Sequence, residues 1–176
     1  MAPLWASLTA VSAGPIERQS FVDVMAELPA AVAVITTRRD DRPTGLAVTS
    51  FSPYSADPPS VMVSVGHHAR SYDPLLAEDW CGAHLLSGDQ EALALRFASR
   101  AEDKFDGLDW DWHGDVPRLN DTAAFLLCHK LCALTHGDHT VLIGEVRDLD
   151  TAAGAEPLVF LRRRYRWRLV EDLEAS

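Results

Sequence analysis

Two long, largely apolar runs, Phe125 to Thr135 and Thr140 to Leu149, are separated only by His136-Gly137-Asp138-His139. Two such runs around a short Gly-Asp turn predict an antiparallel hairpin. The rest of the chain follows the same pattern. Ala31 to Thr37 is rich in Val and Ile, turns at Arg39-Asp40-Asp41-Arg42-Pro43, and resumes from Thr44 to Ser52. Asp57-Pro58-Pro59 breaks the chain, and Val61 to Val65, Cys81 to Leu86 and Leu158 to Leu169 read as further strands. Helical signals are fewer. Phe21, Val24, Met25 and Leu28 fall at i, i+3, i+4 and i+7, which puts them on one face of a helix that Pro29 helps end. A short helix is expected around Pro74 to Ala77. Ser87 with Gln90 resembles a capping box and opens a helix through about Ser99, with Leu93 and Phe97 on its buried face. Residues 100–122, rich in Asp, Gly and Trp, read as mostly irregular. The balance predicts a mainly β fold, an antiparallel sheet closed into a barrel and capped by helices. A doubly wound sheet would need a regular strand–helix alternation that this chain lacks.

A length of 176 residues with 47% apolar content suits one domain with a sizeable core. We place that domain at 20–169, with an arm over 1–19 that could dock on a partner subunit and a tail over 170–176. The net charge of −10 argues against nucleic acid as the main partner. The apolar runs are too short to span a membrane. The first residues have no basic stretch ahead of an apolar one, so a secretory signal is not expected. Three cysteines, Cys81, Cys128 and Cys132, make no disulfide framework and suit a reducing cytoplasm. Arg162, Arg163, Arg164, Arg166 and Arg168 cluster near the last residues; they either pair with the many acids or contact a phosphate.

Several familiar devices are missing. No Gly-x-Gly occurs, which removes the dinucleotide fingerprint and the P-loop, and there is no Gly-x-Ser-x-Gly, His-Glu-x-x-His or Cys-x-x-Cys. Thr49-Ser50-Phe51-Ser52-Pro53-Tyr54-Ser55 puts five hydroxyls into seven residues where a strand turns into a loop. Small hydroxyls and strand backbone can satisfy the polar rim of a flat ring such as a flavin without crowding it. On this stretch alone, a hydroxyl-rich edge strand is the simpler account. Arg70 with Ser71 follows the next strand, Arg96 with Phe97 lies on the next helix, and Lys104 follows. These cations either converge on one phosphate or are separate surface charges. Asp138 and His139 occupy a hairpin turn, where an imidazole can approach a ligand at a barrel mouth. Cys128, Cys132, His136 and His139 are zinc-type ligands, and on a helix the first three would stack on one face. The segment reads as a strand instead, and no metal is expected.

Taken together, these segments resemble the flavin reductase family with the FMN-binding split-barrel fold, the small reductase components of two-component flavin-dependent monooxygenases. The resemblance covers about residues 20–169. It rests on Val32-Ala33-Val34-Ile35-Thr36-Thr37, the strand from Pro43 to Ser52, Asp57-Pro58-Pro59, Arg70-Ser71, Arg96-Phe97-Ala98 with Asp103-Lys104-Phe105, Gly137-Asp138-His139 and Pro157-Leu158-Val159-Phe160, in that order. It implies NAD(P)H-dependent reduction of FMN or FAD, with NADH or NADPH as donor and a separate monooxygenase receiving reduced flavin. A non-redox flavin or tetrapyrrole binder on the same barrel is the alternative. The resemblance assigns Pro43, Thr44, Gly45, Leu46, Ala47, Thr49, Ser50, Ser64, Val65 and Gly66 to the flavin, and Arg70, Ser71, Arg96, Phe97 and Lys104 to its phosphate end. Asp138, His139 and Tyr165 fall on the nicotinamide side, and the family implies a homodimer. The chain departs from the family pattern at Ala30-Ala31 and at His84, both expected near the pocket. Hydride transfer needs no protein nucleophile, so no catalytic acid or base is assigned.

Overall fold

The structure, a computed structural model, describes residues 14–166; most of the expected arm, Arg168 and the tail lie outside the described residues. The chain begins with helix α1 (Arg18–Met25) and a short strand β1 (Ala30–Ala31). Strands β2 (Ala33–Arg39), β3 (Arg42–Val48), β4 (Ser52–Ala56) and β5 (Pro59–Gly66) follow as two hairpins, β2 with β3 and β4 with β5. Helix α2 (Tyr72–Ala77), strand β6 (Trp80–Leu85) and helix α3 (Glu91–Ala98) come next, then a small hairpin of β7 (Trp110–His113) and β8 (Val116–Leu119). The expected long hairpin is β9 (Ala124–His136) with β10 (His139–Thr151), and β11 (Val159–Leu161) and β12 (Arg164–Arg166) are the last described strands.

Seven strands pair antiparallel in the order β3-β2-β6-β9-β10-β5-β4. The two edges, β3 and β4, are consecutive in the chain and joined by residues 49–51 alone. Six strand spacings in a flat sheet would hold the edges about 29 Å apart, whereas the linker reaches about 14 Å. The sheet must therefore curl until its edges nearly meet. Ser50 ties the seam: its hydroxyl donates to the Ser64 carbonyl (2.8 Å) and accepts from the Ser64 N–H (3.1 Å). Strand β2 is buried on both faces, which explains its unbroken apolar run. Ala33 and Ile35 face a core with Val63, Val65, Leu75 and Leu142, and Val34 faces another with Phe97, Phe105, Leu119 and Leu158.

Several expectations need correction. The strand expected over Thr44 to Ser52 stops at Val48, and Ser52–Ala56 is a separate edge strand. Residues 100–122 are mostly irregular as expected, with one small hairpin where β7 and β8 pair. That hairpin is anchored from outside: the Thr36 hydroxyl donates to the Pro117 carbonyl (2.6 Å), and the Leu119 N–H donates to His84 Nε2 (3.0 Å). His84 is a fully buried core residue, not a lining residue of the clefts described below. Its Nδ1–H donates to the Val34 carbonyl (3.1 Å), its ring lies 5.0 Å from Phe125, and burial pulls its pKa down to about 4.

The strand expected from Leu158 to Leu169 reverses at Arg162-Arg163, both with positive φ, so that Phe160 pairs with Tyr165. These two arginines take the acid-pairing role: Arg162 Nε meets Glu27 (2.9 Å) and Arg163 meets Asp23 (2.5 Å) on and beside α1. Phe21, Val24 and Met25 share one face of α1, as their spacing predicted, and Leu28 lies just past its end. All four are exposed in the single chain, because the helix is tethered by polar contacts to the 162–163 turn. Of the capping box, half forms: the Ser87 N–H donates to Gln90 Oε1 (3.0 Å), while the Ser87 hydroxyl turns to Asp89. Cys128 and Cys132 lie on a strand, where residues four apart are about 13 Å apart. Cys128 is buried opposite Cys81, whose hydrogen bond, followed by burial, raises the Cys128 thiol; Cys132 is exposed.

Candidate functional site

The seam of the curled sheet opens into two adjoining clefts. The first, about 410 Å³, takes Leu46, Ala47, Val48, Thr49 and Ser50 from the end of β3 as it leaves the sheet. Ser64 and Gly66 come from β5, His68 and Ala69 from the loop after it, and His139 from the start of β10. Phe160 and Tyr165, with Val32 and Ala98, line another part of the same cleft. The second cleft, about 470 Å³, is lined by Pro43, Thr44 and Gly45 from β3, by Arg70 and Ser71, and by Lys104 and Phe105. Arg39, Asp73 and Glu102 also line it, and Ala69 lines both.

The two glycines on these strands are there for close approach. A Cβ on Gly66 would stand 2.8 Å from His68 Cε1 and 3.3 Å from His139 Nε2, so the bare backbone leaves room for two imidazoles at the cleft. A Cβ on Gly45 would meet the Ile35 carbonyl at 2.8 Å and the Phe97 ring at 3.1 Å. Phe97 is thus a buried support under β3.

Electrostatics divide the two clefts. The first is lined by neutral small side chains, aromatic rings and imidazoles. His139 is oriented from outside the cleft, with Nδ1 2.7 Å from the Asp138 carboxylate, and that hydrogen bond, then the charge of the His139 ring, holds Asp138 below the usual carboxylate range. Burial, then the negative charge of Glu91, raises the Tyr165 phenol, which keeps it a neutral donor. In the second cleft Lys104 Nζ donates to the carbonyls of Phe97 (2.7 Å) and Gly45 (3.2 Å). Burial, then the adjacent Arg70 guanidinium, lowers the Lys104 pKa. Two cations forced together in this way form a site that an anion relieves, against the opposing charges of Asp73 and Glu102. The Thr44 and Ser71 hydroxyls, 3.0 Å apart, add neutral donors there.

Most residues singled out in the sequence converge here. Leu46, Ala47, Thr49, Ser50, Ser64, Gly66, His139 and Tyr165 line the first cleft, and Pro43, Thr44, Gly45, Arg70, Ser71 and Lys104 line the second. Others stand apart. Val65 is buried in the core, and Asp138 reaches the first cleft only through His139. Arg96 lines neither cleft; its guanidinium donates to the Asp106 carbonyl. Sequence reasoning missed Val32, Val48, His68, Ala69, Ala98 and Phe160 in the first cleft and Arg39, Asp73, Ala101, Glu102 and Phe105 in the second. An imidazole two residues before Arg70 was the available signal for His68.

A flat ring with neutral hydrogen-bonding edges fits the first cleft, where glycine and hydroxyls stand at the wall, and an attached phosphate fits the cation pair of the second. The residues present therefore fit a flavin nucleotide.

The sequence profile described as flavin reductase like domain matches residues 25–168. The chain is 32% identical to an NADH flavin reductase of Kitasatospora aureofaciens over 90% of this chain and 86% of that one. It is also 32% identical to the reductase subunit of a flavin-dependent monooxygenase of Rhodococcus jostii, over 94% and 90%. Among solved structures it resembles a Streptomyces globisporus NADH:FAD oxidoreductase in complex with NAD and FAD fragments. That match has a TM-score of 0.81 and 29% identity, and covers 91% of this chain and 99% of that one.

Proposed function

The chain belongs to the flavin reductase-like family, and we propose that it oxidises NADH or NADPH, reduces FMN or FAD, and supplies the reduced flavin to a separate monooxygenase. The observation that carries this reading is the join of a cleft lined by neutral small side chains, aromatic rings and imidazoles to a cationic one through Ala69. The relatives are named as reductases, which leaves a non-redox binder without support.

Bound flavin supplies the electron acceptor, taking up the hydride that the nicotinamide gives. The chain's own residues bind and orient. Arg70, Lys104, Thr44 and Ser71 would hold the phosphate, and Pro43 to Ala47 with Thr49, Ser50, Ser64 and Gly66 would flank the ring and its sugar chain. His139, steadied by Asp138, with Tyr165 opposite, would orient the nicotinamide. Orientation of two bound partners is the main contribution a protein can make to such a transfer. The strand order and the Ser50 seam support a split barrel. The exposed apolar face of α1 supports a homodimer in which a second copy covers it. A cytoplasmic location is consistent with three free cysteines. Among the described residues no helix is long and apolar enough to cross a membrane.

The test is direct. With FMN or FAD added, the purified chain is expected to bleach the nicotinamide absorbance of NADH or NADPH. No flavin-dependent loss with either donor refutes the reductase reading.

A further inference from the structure

Thr140 follows His139 on β10, and its side chain is fully buried. Its hydroxyl lies 3.1 Å from His67 Nε2, 2.9 Å from the Tyr72 hydroxyl and 2.9 Å from the Thr135 hydroxyl. A threonine hydroxyl has one proton and two lone pairs, so these three partners saturate it. They are distributed in a particular way. His67 and Tyr72 stand at the two ends of the loop that carries His68, Ala69, Arg70 and Ser71, and their rings touch at 4.8 Å between centroids. Thr135 and Thr140 stand on the two strands that present the Asp138–His139 turn. A backbone bond from the His67 N–H to the Asp138 carbonyl (3.0 Å) ties the same two segments. One buried oxygen thus joins the loop of the cationic cleft to the turn of the neutral one. Packing alone does not require it, since valine has the same shape and suits a strand at least as well.

We propose that Thr140 is a positioning residue, which sets loop 67–71 against the Asp138–His139 turn so that the flavin phosphate end and the nicotinamide side are held in register. The proposal rests on the reductase reading for its kinetic consequences and on the hydrogen-bond geometry for its structural ones.

The experiment compares Thr140→Val and Thr140→Ser with the unmodified full chain. Three quantities are read: the Kd for FMN and for FAD, the KM and kcat for NADH, and amide hydrogen exchange over residues 66–72 without flavin. The valine variant is expected to raise both the flavin Kd and the NADH KM by roughly two- to tenfold, the worth of one hydrogen bond. Exchange over 66–72 should quicken while β2 and β6 keep their protection. Serine, which retains the oxygen and loses the methyl, should restore all three. Wild-type values in the valine variant overturn the proposal, as does a shift in only one of the two ligands. A loss that serine does not restore assigns the effect to methyl packing and also overturns it. If the valine chain does not fold, Tyr72→Phe removes one partner and leaves the hub, and unchanged loop exchange there is refuting. If the unmodified chain neither binds flavin nor oxidises NADH or NADPH, the reductase reading fails, while the exchange measurements still decide the role of Thr140.

Discussion

Lowering the pH should weaken the fold through His84. The ring is fully buried, donates from Nδ1 to Val34 and accepts at Nε2 from Leu119, so only its neutral form fits. Its pKa falls from 6.5 to about 4, first because burial penalises the charge. Above pH 6.5 the ring is neutral in both folded and unfolded chains, and its contribution is complete. As the pH falls from 6.5 towards 4, the unfolded chain binds a proton that the folded chain refuses. Stability then declines by about 1.4 kcal/mol per pH unit, for about 3 kcal/mol over the window. Urea unfolding at intervals from about pH 7.5 to 4.5 reads this directly. His84→Phe keeps an aromatic ring and removes the titration. It is expected to be less stable at neutral pH, because the Val34 carbonyl and Leu119 N–H lose their partner, and to show a shallower pH slope than the unmodified chain over that window. Carboxylates titrate in both chains, so the difference between the two slopes isolates the imidazole. Equal slopes, or an NMR titration of the folded His84 ring near pH 6.5, refute the reasoning.

The two clefts should separate under mutation. Arg70→Ala is expected to weaken flavin binding by roughly tenfold with nicotinamide saturation intact, and His139→Ala to raise the nicotinamide KM or lower kcat by a similar factor with flavin affinity intact; titrations and steady-state kinetics on both variants would reject this division if His139→Ala weakened flavin as much as Arg70→Ala. Ser50→Ala unties the seam from Ser64 and should cost about 1 kcal/mol in urea unfolding together with a loss of flavin affinity, since water can replace only part of the pair at an exposed edge. Unchanged stability and unchanged affinity would show that the seam holds without it.

The long hairpin was legible because its two long apolar runs meet at a turn containing Gly137, which adopts the positive φ that glycine favours. The hairpin of β11 and β12 was not, since its turn is built from two arginines with positive φ, a conformation that residue type does not announce. Strands β7 and β8 escaped notice because their order comes from distant partners, Thr36 and His84, and not from local alternation. The site divided in the same way. Arg70, Ser71 and Lys104 follow strand and helix ends, where a phosphate-binding group is expected. Arg96 carries the same charge but lies on a helix followed by a loop that offers it the Asp106 carbonyl, a competing acceptor invisible in the sequence. His68 entered the cleft because Gly66 leaves room for it, an effect of backbone packing and not of the histidine itself.

The pairing of β1 with β11 has a bearing on how the chain is made. Ala30 lies opposite Phe160 and Ala31 opposite Val159, and the Val32 N–H donates to the Leu158 carbonyl (3.0 Å). Contacts between such distant residues close large loops, which slows folding relative to local pairing. During synthesis the first cleft therefore stays open on one side until residues 158–165 have left the ribosome and docked. A ligand that needs Phe160 and Tyr165 cannot act as a template for the earlier strands; it can only select a barrel that has already assembled.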